Sequence, residues 1–186
     1  MNWRAATALS LAVLFGTATA VPNRALSAAA PKNVPNLCRP GERVVYSCRF
    51  GGKLGSVCLG SNSIHYRFGR GNRPELDLAN TGDWGNVHVG GNRSQGGLNQ
   101  DHIRFTNRGT HYVVHSGETG SLNERPGRRF SGIAVLRGSS GQSTVADLKC
   151  KAGAAFDSAA FPAIASAAPK GWDGEEVSGG PFDVIY

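Results

Sequence analysis

The stretch between residues 42 and 150 consists largely of short runs in which apolar and polar side chains alternate. Clusters of glycine, asparagine, serine or proline separate these runs. Alternation with a period of two is typical of strands that bury one face, because successive side chains point to opposite sides of a sheet. No part of this stretch has the period of an amphipathic helix. The pattern therefore predicts an all-β domain.

Eight runs fit the strand pattern. They are residues 43–49, 54–59, 64–69, 75–78, 101–106, 110–116, 132–136 and 144–150. The clearest hairpin signal is Asn107-Arg108-Gly109, in which the glycine can adopt the positive φ of a tight loop. The high content of 26 glycines suits such a turn-rich chain. Together these features favour a small antiparallel sandwich or barrel.

Two segments depart from the strand pattern. Residues 80–100 are rich in glycine and asparagine around Trp84, which predicts a long surface loop. Residues 153–186 are first rich in alanine and then in glycine, proline and acidic residues, which predicts a flexible C-terminal tail. Its alanine-rich part, 154–168, could form a short helix that Pro162 interrupts. Trp172 and Phe182 are the candidates for docking the tail onto the domain.

The N-terminus has the features of an export signal. Arg4 precedes an uncharged apolar run at residues 5–20, which ends in the small-x-small pattern that signal peptidases cleave. Sixteen residues are too few to span a bilayer, which needs about 20 in a helix. We therefore expect a signal peptide at 1–20, a flexible leader at 21–37, a β domain at 38–152 and the tail at 153–186. The mature protein would be periplasmic or extracellular.

Four cysteines follow the predicted signal, and an even number in an exported protein favours disulfides. They are Cys38, Cys48, Cys58 and Cys150, which allow three pairings. A hairpin centred near Lys53 would place Cys48 opposite Cys58 and leave Cys38 to pair with Cys150. A zinc site is the rival interpretation, but the chain has no Cys-x-x-Cys motif. We expect no metal and no cofactor.

Part of the domain resembles a family of small, uncharacterised exported bacterial proteins. The resemblance rests on ERVVYSC at 42–48, SVC at 56–58, YRFG at 66–69 and PEL at 74–76. It continues more loosely through GIAV at 132–135 and LKC at 148–150, and it covers roughly residues 38–150. The resemblance implies export, a β fold and the cysteine framework. It assigns no catalytic role to any residue.

The chain is basic, with 20 lysines and arginines against 13 acidic residues. Removal of the signal takes away Arg4 alone, which leaves 19 against 13 and a net charge of about +6. The basic residues include two loop clusters with guanidinium groups that can bind phosphate, sulfate or carboxylate through forked hydrogen bonds. The first arginine cluster is Arg67, Arg70 and Arg73, and the second is Arg125, Arg128 and Arg129.

Other candidate groups have weaker patterns. Trp84 could stack on a sugar ring if it were exposed. His111 and His115 lie four apart on a predicted strand, facing solvent, and are too far apart to share one zinc ion. Asp101-His102 could form part of an acid–base pair.

Two further features bear on enzymatic chemistry. Glu75 and Asp77 share a strand face, as paired carboxylates of glycosidases do. The nearest approach to a serine nucleophile motif, GSSG at 138–141, has the wrong spacing. The sequence therefore contains no complete catalytic constellation.

These observations favour an exported binding or envelope-associated module that is not an enzyme. Its partner would be an anionic cell-envelope polymer, a glycan or an acidic protein. If the partner is an enzyme, the module would act as its inhibitor. Nucleic acid is not expected as a partner, because no nucleic-acid-binding motif is present. The alternatives are a secreted hydrolase and a structural envelope protein without a ligand. The oligomeric state is open.

Overall fold

The computed structural model describes residues 34–71, 73–94, 96–150, 154–176 and 180–182. The expected signal peptide and most of the expected leader lie outside the described residues. Within the described ranges, no helix is long and apolar enough to cross a membrane.

The described chain is mostly strand. The strands are β1 Arg43–Phe50, β2 Lys53–Leu59, β3 Ile64–Arg70, β4 Arg73–Ala79, β5 Val87–Arg93, β6 Leu98–Asn107, β7 Thr110–Thr119, β8 Arg129–Arg137, β9 Ser143–Lys149 and β10 Ala155–Phe156. A 3₁₀ turn at Ser158–Ala160 leads into one short helix, α1 Phe161–Ala167. Pro162 lies in the first turn of α1, where backbone N–H groups have no partner within the helix. The missing N–H of proline therefore costs no hydrogen bond there. Pro162 thus begins the helix and does not interrupt it.

The strands form two five-stranded antiparallel sheets, which confirms the predicted all-β class. The first sheet has the order β10-β1-β2-β3-β4, and the second has the order β5-β6-β7-β8-β9. Each sheet has an inner face, which packs on the other sheet, and an outer face. Tyr66 of the first sheet contacts Phe105 and Tyr112 of the second, with ring centroids 5.9 and 5.5 Å apart. The fold is thus a sandwich with an apolar core between the sheets.

All eight predicted strands are present, but the loop predicted at 80–100 contains a further strand, β5, and the tail predicted at 153–186 contains another, β10. The sequence of β5 contains Gly90 and Gly91, which would normally indicate a turn. Here the glycines permit close packing. A Cβ at Gly90 would lie 2.7 Å from the ring of His102, and one at Gly91 would lie 2.5 Å from the carbonyl oxygen of Gln100.

All four cysteines form disulfides, as predicted, but the favoured pairing is wrong. The structure joins Cys38 to Cys58 and Cys48 to Cys150, with Cα–Cα distances of 5.3 and 6.0 Å. The second bond links β1 to the residue after β9, and therefore ties the two sheets together. A loop of about 100 residues closed by a disulfide is worth about 4–5 kcal/mol in the chain-entropy account.

The pairing differs because the hairpin turn lies earlier than expected. Gly51 and Gly52 connect β1 to β2, so that Cys48 lies opposite Gly55. Gly51 has a φ of +61°, which a glycine adopts without strain. Cys48 belongs to the inner face and Cys58 to the outer face, so the two sulfurs point to opposite sides of the sheet.

The segment before β1 packs on the outer face of the first sheet, whereas the segment after β10 contacts both the apolar core and the second sheet. Leu37 is buried and its amide donates to Ser56 Oγ at 3.0 Å, so residues 34–37 of the expected leader belong to the packed structure. In the expected tail, residues 174–176 run alongside β5, where Glu176 N donates to Val89 O at 2.7 Å. The docking candidate Phe182 is buried on the outer face of the second sheet.

Candidate functional site

The first arginine cluster does not form a common site. Arg67 is fully buried on the outer face of the first sheet. Its guanidinium donates to both carboxylate oxygens of Glu42, to Asp77 Oδ2 at 3.0 Å, and to Leu37 O at 3.3 Å. All three of its nitrogens are therefore used within the protein. Arg67 stabilises the fold and is not placed to bind an external anion.

The two carboxylates around Arg67 remain ionised in the folded protein. The hydrogen bond from Arg67 lowers the pKa of Glu42, despite its partial burial. Burial would raise the pKa of Asp77, but His65 and Arg67 outweigh that effect and lower it. His65 Nδ1 lies 2.8 Å from Asp77 Oδ1. The group thus forms a compensated ion network.

Arg70 and Arg73 face each other across the exposed turn between β3 and β4. Arg70 lies 3.8 Å from Glu75, which also pairs with Lys53. Both arginines are accessible, but Arg67 points elsewhere. The expectation that all three would act together is therefore wrong.

Trp84 is not available to a sugar. Its exposed fraction is 2%, and its ring packs edge-on against Trp172 with centroids 6.2 Å apart. Trp172 Nε1 donates to the carbonyl oxygens of Trp84 and Val87. The two tryptophans join the C-terminal segment to the core, and the burial of Trp84 leaves its ring no free face for stacking.

His111 and His115 face away from the core, as predicted, but they are not exposed. The outer face of the second sheet is covered, and both side chains are buried. Burial, with a smaller effect of His102, lowers the pKa of His115 to about 3, so this imidazole stays neutral at ordinary pH. Phe182 packs on His111 with ring centroids 4.7 Å apart.

The carboxylate that contacts His102 is not its neighbour Asp101. Adjacent strand residues point to opposite faces, and Asp101 pairs with Arg93. His102 Nε2 instead lies 2.7 Å from Glu176 Oε2, and Arg104 Nε donates to Glu176 Oε1 at 2.8 Å. His102 is 1% exposed. A substrate cannot reach the buried imidazole, so His102 is not the accessible acid–base group that the sequence suggested.

The carboxylates of Glu75 and Asp77 are occupied by different cations. Glu75 pairs with Lys53, and Asp77 pairs with Arg67 and Arg39. A glycosidase pair needs two carboxylates that face a common substrate. These two do not have that arrangement.

The second arginine cluster lines a cavity of about 600 Å³. We call it the basic cavity. The charged residues around it are Arg125, Arg128, Arg129, Lys149 and Glu124. Four cationic side chains thus face one carboxylate, and the three arginines are all exposed. Because guanidinium groups bind anions through paired hydrogen bonds, this arrangement can hold a phosphate, sulfate or carboxylate.

The loop that carries Arg125 and Arg128 is held by Thr119 at the end of β7. Thr119 Oγ1 donates to Arg125 O, and Arg128 N donates to Thr119 Oγ1 at 2.9 Å. Gly127, with a φ of +72°, donates from its amide to Thr119 O at 2.8 Å. These bonds fix the loop backbone beside the cavity while the arginine side chains remain accessible.

Two of the four cations around the basic cavity have an ion pair among the described residues, and two do not. Arg129 Nε donates to Glu118 at 3.1 Å, and Lys149 lies 3.7 Å from Asp147. Arg125 and Arg128 have no ion pair with any described residue. Their charges are therefore uncompensated by the part of the protein that the structure describes.

A row of polar residues extends from the basic cavity across the second sheet. Strand register places Arg129, Glu118, Asn99 and Arg93 side by side on β8, β7, β6 and β5. Asp101 and Ser116 lie opposite each other in the neighbouring row on the same face of the sheet. We call these two residues and the row of four the polar platform. Its six residues were not predicted as a group.

The polar platform continues the inner face of the second sheet. Along β7, for example, Val114 lies in the core, and Ser116 and Glu118 follow on the same face. On the antiparallel strand β6, Asn99 and Asp101 precede the core residue Ile103 on the same face. The inner face thus changes from apolar to polar at one end of the sheet. That change is the sequence signal that could have revealed the platform.

Among the described residues, one set of three potential metal ligands lies close together: Cys38, Glu42 and Cys58. Both sulfurs belong to one disulfide, and Glu42 pairs with Arg67. This set therefore does not offer the thiolates of a metal site.

No family model, no curated protein and no solved structure matches this chain. The resemblance to exported bacterial proteins thus stays a prediction.

Proposed function

We propose that this protein is an exported, non-enzymatic binding module that holds an anionic group of its partner in the basic cavity. The observation that carries the proposal is the grouping of Arg125, Arg128, Arg129 and Lys149 around one cavity whose lining contains a single carboxylate, Glu124. Arg125 and Arg128 have no ion pair with any described residue. The partner would be an anionic cell-envelope polymer, an acidic glycan or an acidic protein. The cavity binds the anion, and its exposed position admits a group carried by a large partner.

Export is supported by the signal-like N-terminus and by the two disulfides. Disulfides persist in oxidising compartments such as the periplasm and the extracellular space. The hydrolase alternative loses support, because Asp101 and His102 point to opposite faces and Glu75 and Asp77 bind separate cations. A purely structural role would not explain why Arg125 and Arg128 lie exposed at one cavity with no ion pair to any described residue.

The proposal is tested by titrating the oxidised protein with heparin and with polyglutamate at low and high salt. We expect saturable binding that weakens in high salt, because the Debye length falls to about 3 Å at 1 M. The double variant Arg125→Ala/Arg128→Ala should weaken binding at least about tenfold, since each charge-assisted hydrogen bond is worth more than 1 kcal/mol.

The matched control is Arg70→Ala/Arg73→Ala, which removes the same two charges from the other exposed turn. It should bind the polyanions nearly as the unaltered protein does. If both double variants lose affinity equally, net charge alone drives binding and the basic cavity is not the site. If neither polyanion binds at low salt, the proposed function is wrong.

A further inference from the structure

The basic cavity is one end of a longer groove. A second cavity, of about 530 Å³, lies over the polar platform and shares Arg129 with the basic cavity. A third, of about 490 Å³, shares Arg93 and Asp101 with the second. The three cavities therefore lie next to one another in a line. This line follows the order of strands β8, β7, β6 and β5 in the sheet.

The groove crosses the strands of the second sheet. The residues Arg129, Glu118, Asn99 and Arg93 lie on four neighbouring strands. Neighbouring strands are about 4.8 Å apart, so this row spans about 14 Å. One wall is formed by β10 and the residues on either side of it, which contribute Ala154, Phe156 and Ser158 to the second cavity. A groove of this length fits about four residues of an extended chain, at about 3.3 Å per residue.

The charge of the groove changes sign along its length. The basic cavity has four cations and one carboxylate. The second cavity has Arg93 and Arg129 balanced by Asp101 and Glu118. The third has one arginine and three carboxylates, namely Asp101, Glu175 and Glu176.

Glu175 is the accessible acidic residue at the far end. It is exposed and has no ion pair with any described residue. Its neighbour Glu176 is bound by Arg104 and His102. A uniform polyanion would be repelled at this end, whereas a ligand with a cationic end would be attracted.

We propose that the groove binds an extended peptide segment that has an acidic end in the basic cavity and a basic end beside Glu175. This inference rests on the proposed function, because the acidic end of the peptide is the anion of that proposal. The peptide lies across β8 to β5, with about four residues between its charged ends. The hydroxyl and amide groups of Ser116 and Asn99 face its middle part.

The probe is a synthetic peptide with three glutamates, a four-residue Gly-Ser spacer and two lysines, made in both chain directions. One comparison peptide has the same composition with the charges alternating, and another ends in glycines in place of the lysines. We expect one direction of the block peptide to bind at least about tenfold more tightly than either comparison peptide, as two ends engaged together predict.

The variant that separates this inference from the proposed function is Glu175→Gln. It should weaken the binding of the block peptide severalfold and should not weaken the binding of polyglutamate. Glu75→Gln, which removes an exposed carboxylate outside the three cavities, is the matched control and should weaken neither.

Three outcomes distinguish the two proposals. Tighter binding of the block peptide, sensitive to Glu175→Gln, supports the inference. Binding of polyglutamate that depends on Arg125 and Arg128, with the block and comparison peptides all bound equally, overturns the peptide inference and leaves the proposed function standing. Failure of the peptides and of both polyanions overturns both.

Discussion

The two arginine clusters are similar in sequence, but the structure gives them different roles. In the first, a fully buried Arg67 binds Glu42 and Asp77, while Arg70 and Arg73 stay exposed on a turn. In the second, all three arginines are exposed around one cavity. Three arginines in one short segment therefore do not define a site. The position of each arginine in the strand pairing decides whether its charge is used for folding or remains available to a ligand.

The largest expected effect is the loss of Arg67. Arg67→Ala would leave Glu42 without an ion pair among the described residues and would leave Asp77 with only Arg39 and His65. Breaking a buried ion pair by removing one partner costs about 3–5 kcal/mol. We expect a loss of that size in the free energy of unfolding by urea. Arg70→Ala, three residues along the same strand, should change it by less than about 0.5 kcal/mol.

Arg67→Lys provides a second variant if Arg67→Ala does not fold. Lysine keeps the charge but lacks the fork that reaches both carboxylates. The free energy of unfolding of Arg67→Lys should therefore lie between those of the unaltered protein and of Arg67→Ala. Equal stability of Arg67→Lys and Arg70→Ala would contradict the structural role of the guanidinium.

An intermediate effect is expected at acidic pH. The pKa values of Glu42 and Asp77 are lowered in the folded protein. This contribution to stability is complete above the unfolded pKa values of about 4. As the pH falls below that range, the unfolded chain takes up protons first, so stability is lost until the folded carboxylates also protonate.

The measurement is urea unfolding at pH 6 and at pH 3, with Arg67→Lys as the comparison. The unaltered protein should lose more stability between the two pH values than Arg67→Lys, in which the carboxylate pKa values lie closer to normal. An equal loss in both proteins would show that other groups dominate the acid dependence.

The smallest expected effect on stability is at the second cluster. Arg125→Ala/Arg128→Ala removes two exposed side chains with no ion pair among the described residues. Its free energy of unfolding should stay within about 0.5 kcal/mol of the original. A loss above 2 kcal/mol would mean that these arginines support the fold, and the contrast between the clusters would fail.

The sequence predicted the all-β fold well because that fold depends on local alternation. The eight predicted strands are present, and Gly109 has the positive φ expected of the Asn107–Gly109 hairpin. Of the two strands that the sequence did not predict, β5 and β10, the first is the more instructive. Its two glycines indicated a loop, whereas they make room for His102 and for the backbone of β6. Such packing depends on strands that are neighbours only after folding.

The disulfide pairing could not be read from the sequence for a related reason. A small error in the position of the Gly51-Gly52 turn changes which residues lie opposite each other. The structure places Cys48 and Cys58 on opposite faces of the sheet, so the pairing follows from register.

The candidate site was predicted only in part. The sequence singled out Arg125, Arg128 and Arg129, but not Lys149, which is about 20 residues further along and reaches the cavity through pairing of β8 with β9. It also assigned a binding role to Trp84, which is buried against a tryptophan 88 positions away. Burial by distant segments is a property of the tertiary structure.

The most direct test of the account is chemical modification of arginines with phenylglyoxal, read by mass spectrometry with and without bound polyglutamate. We predict that Arg67 is unreactive in both states and that Arg70 and Arg73 react equally in both. Arg125 and Arg128 should react in the free protein and be protected in the complex. Protection of Arg70 and Arg73, with Arg125 and Arg128 still reactive, would contradict the account and place the anion at the other cluster.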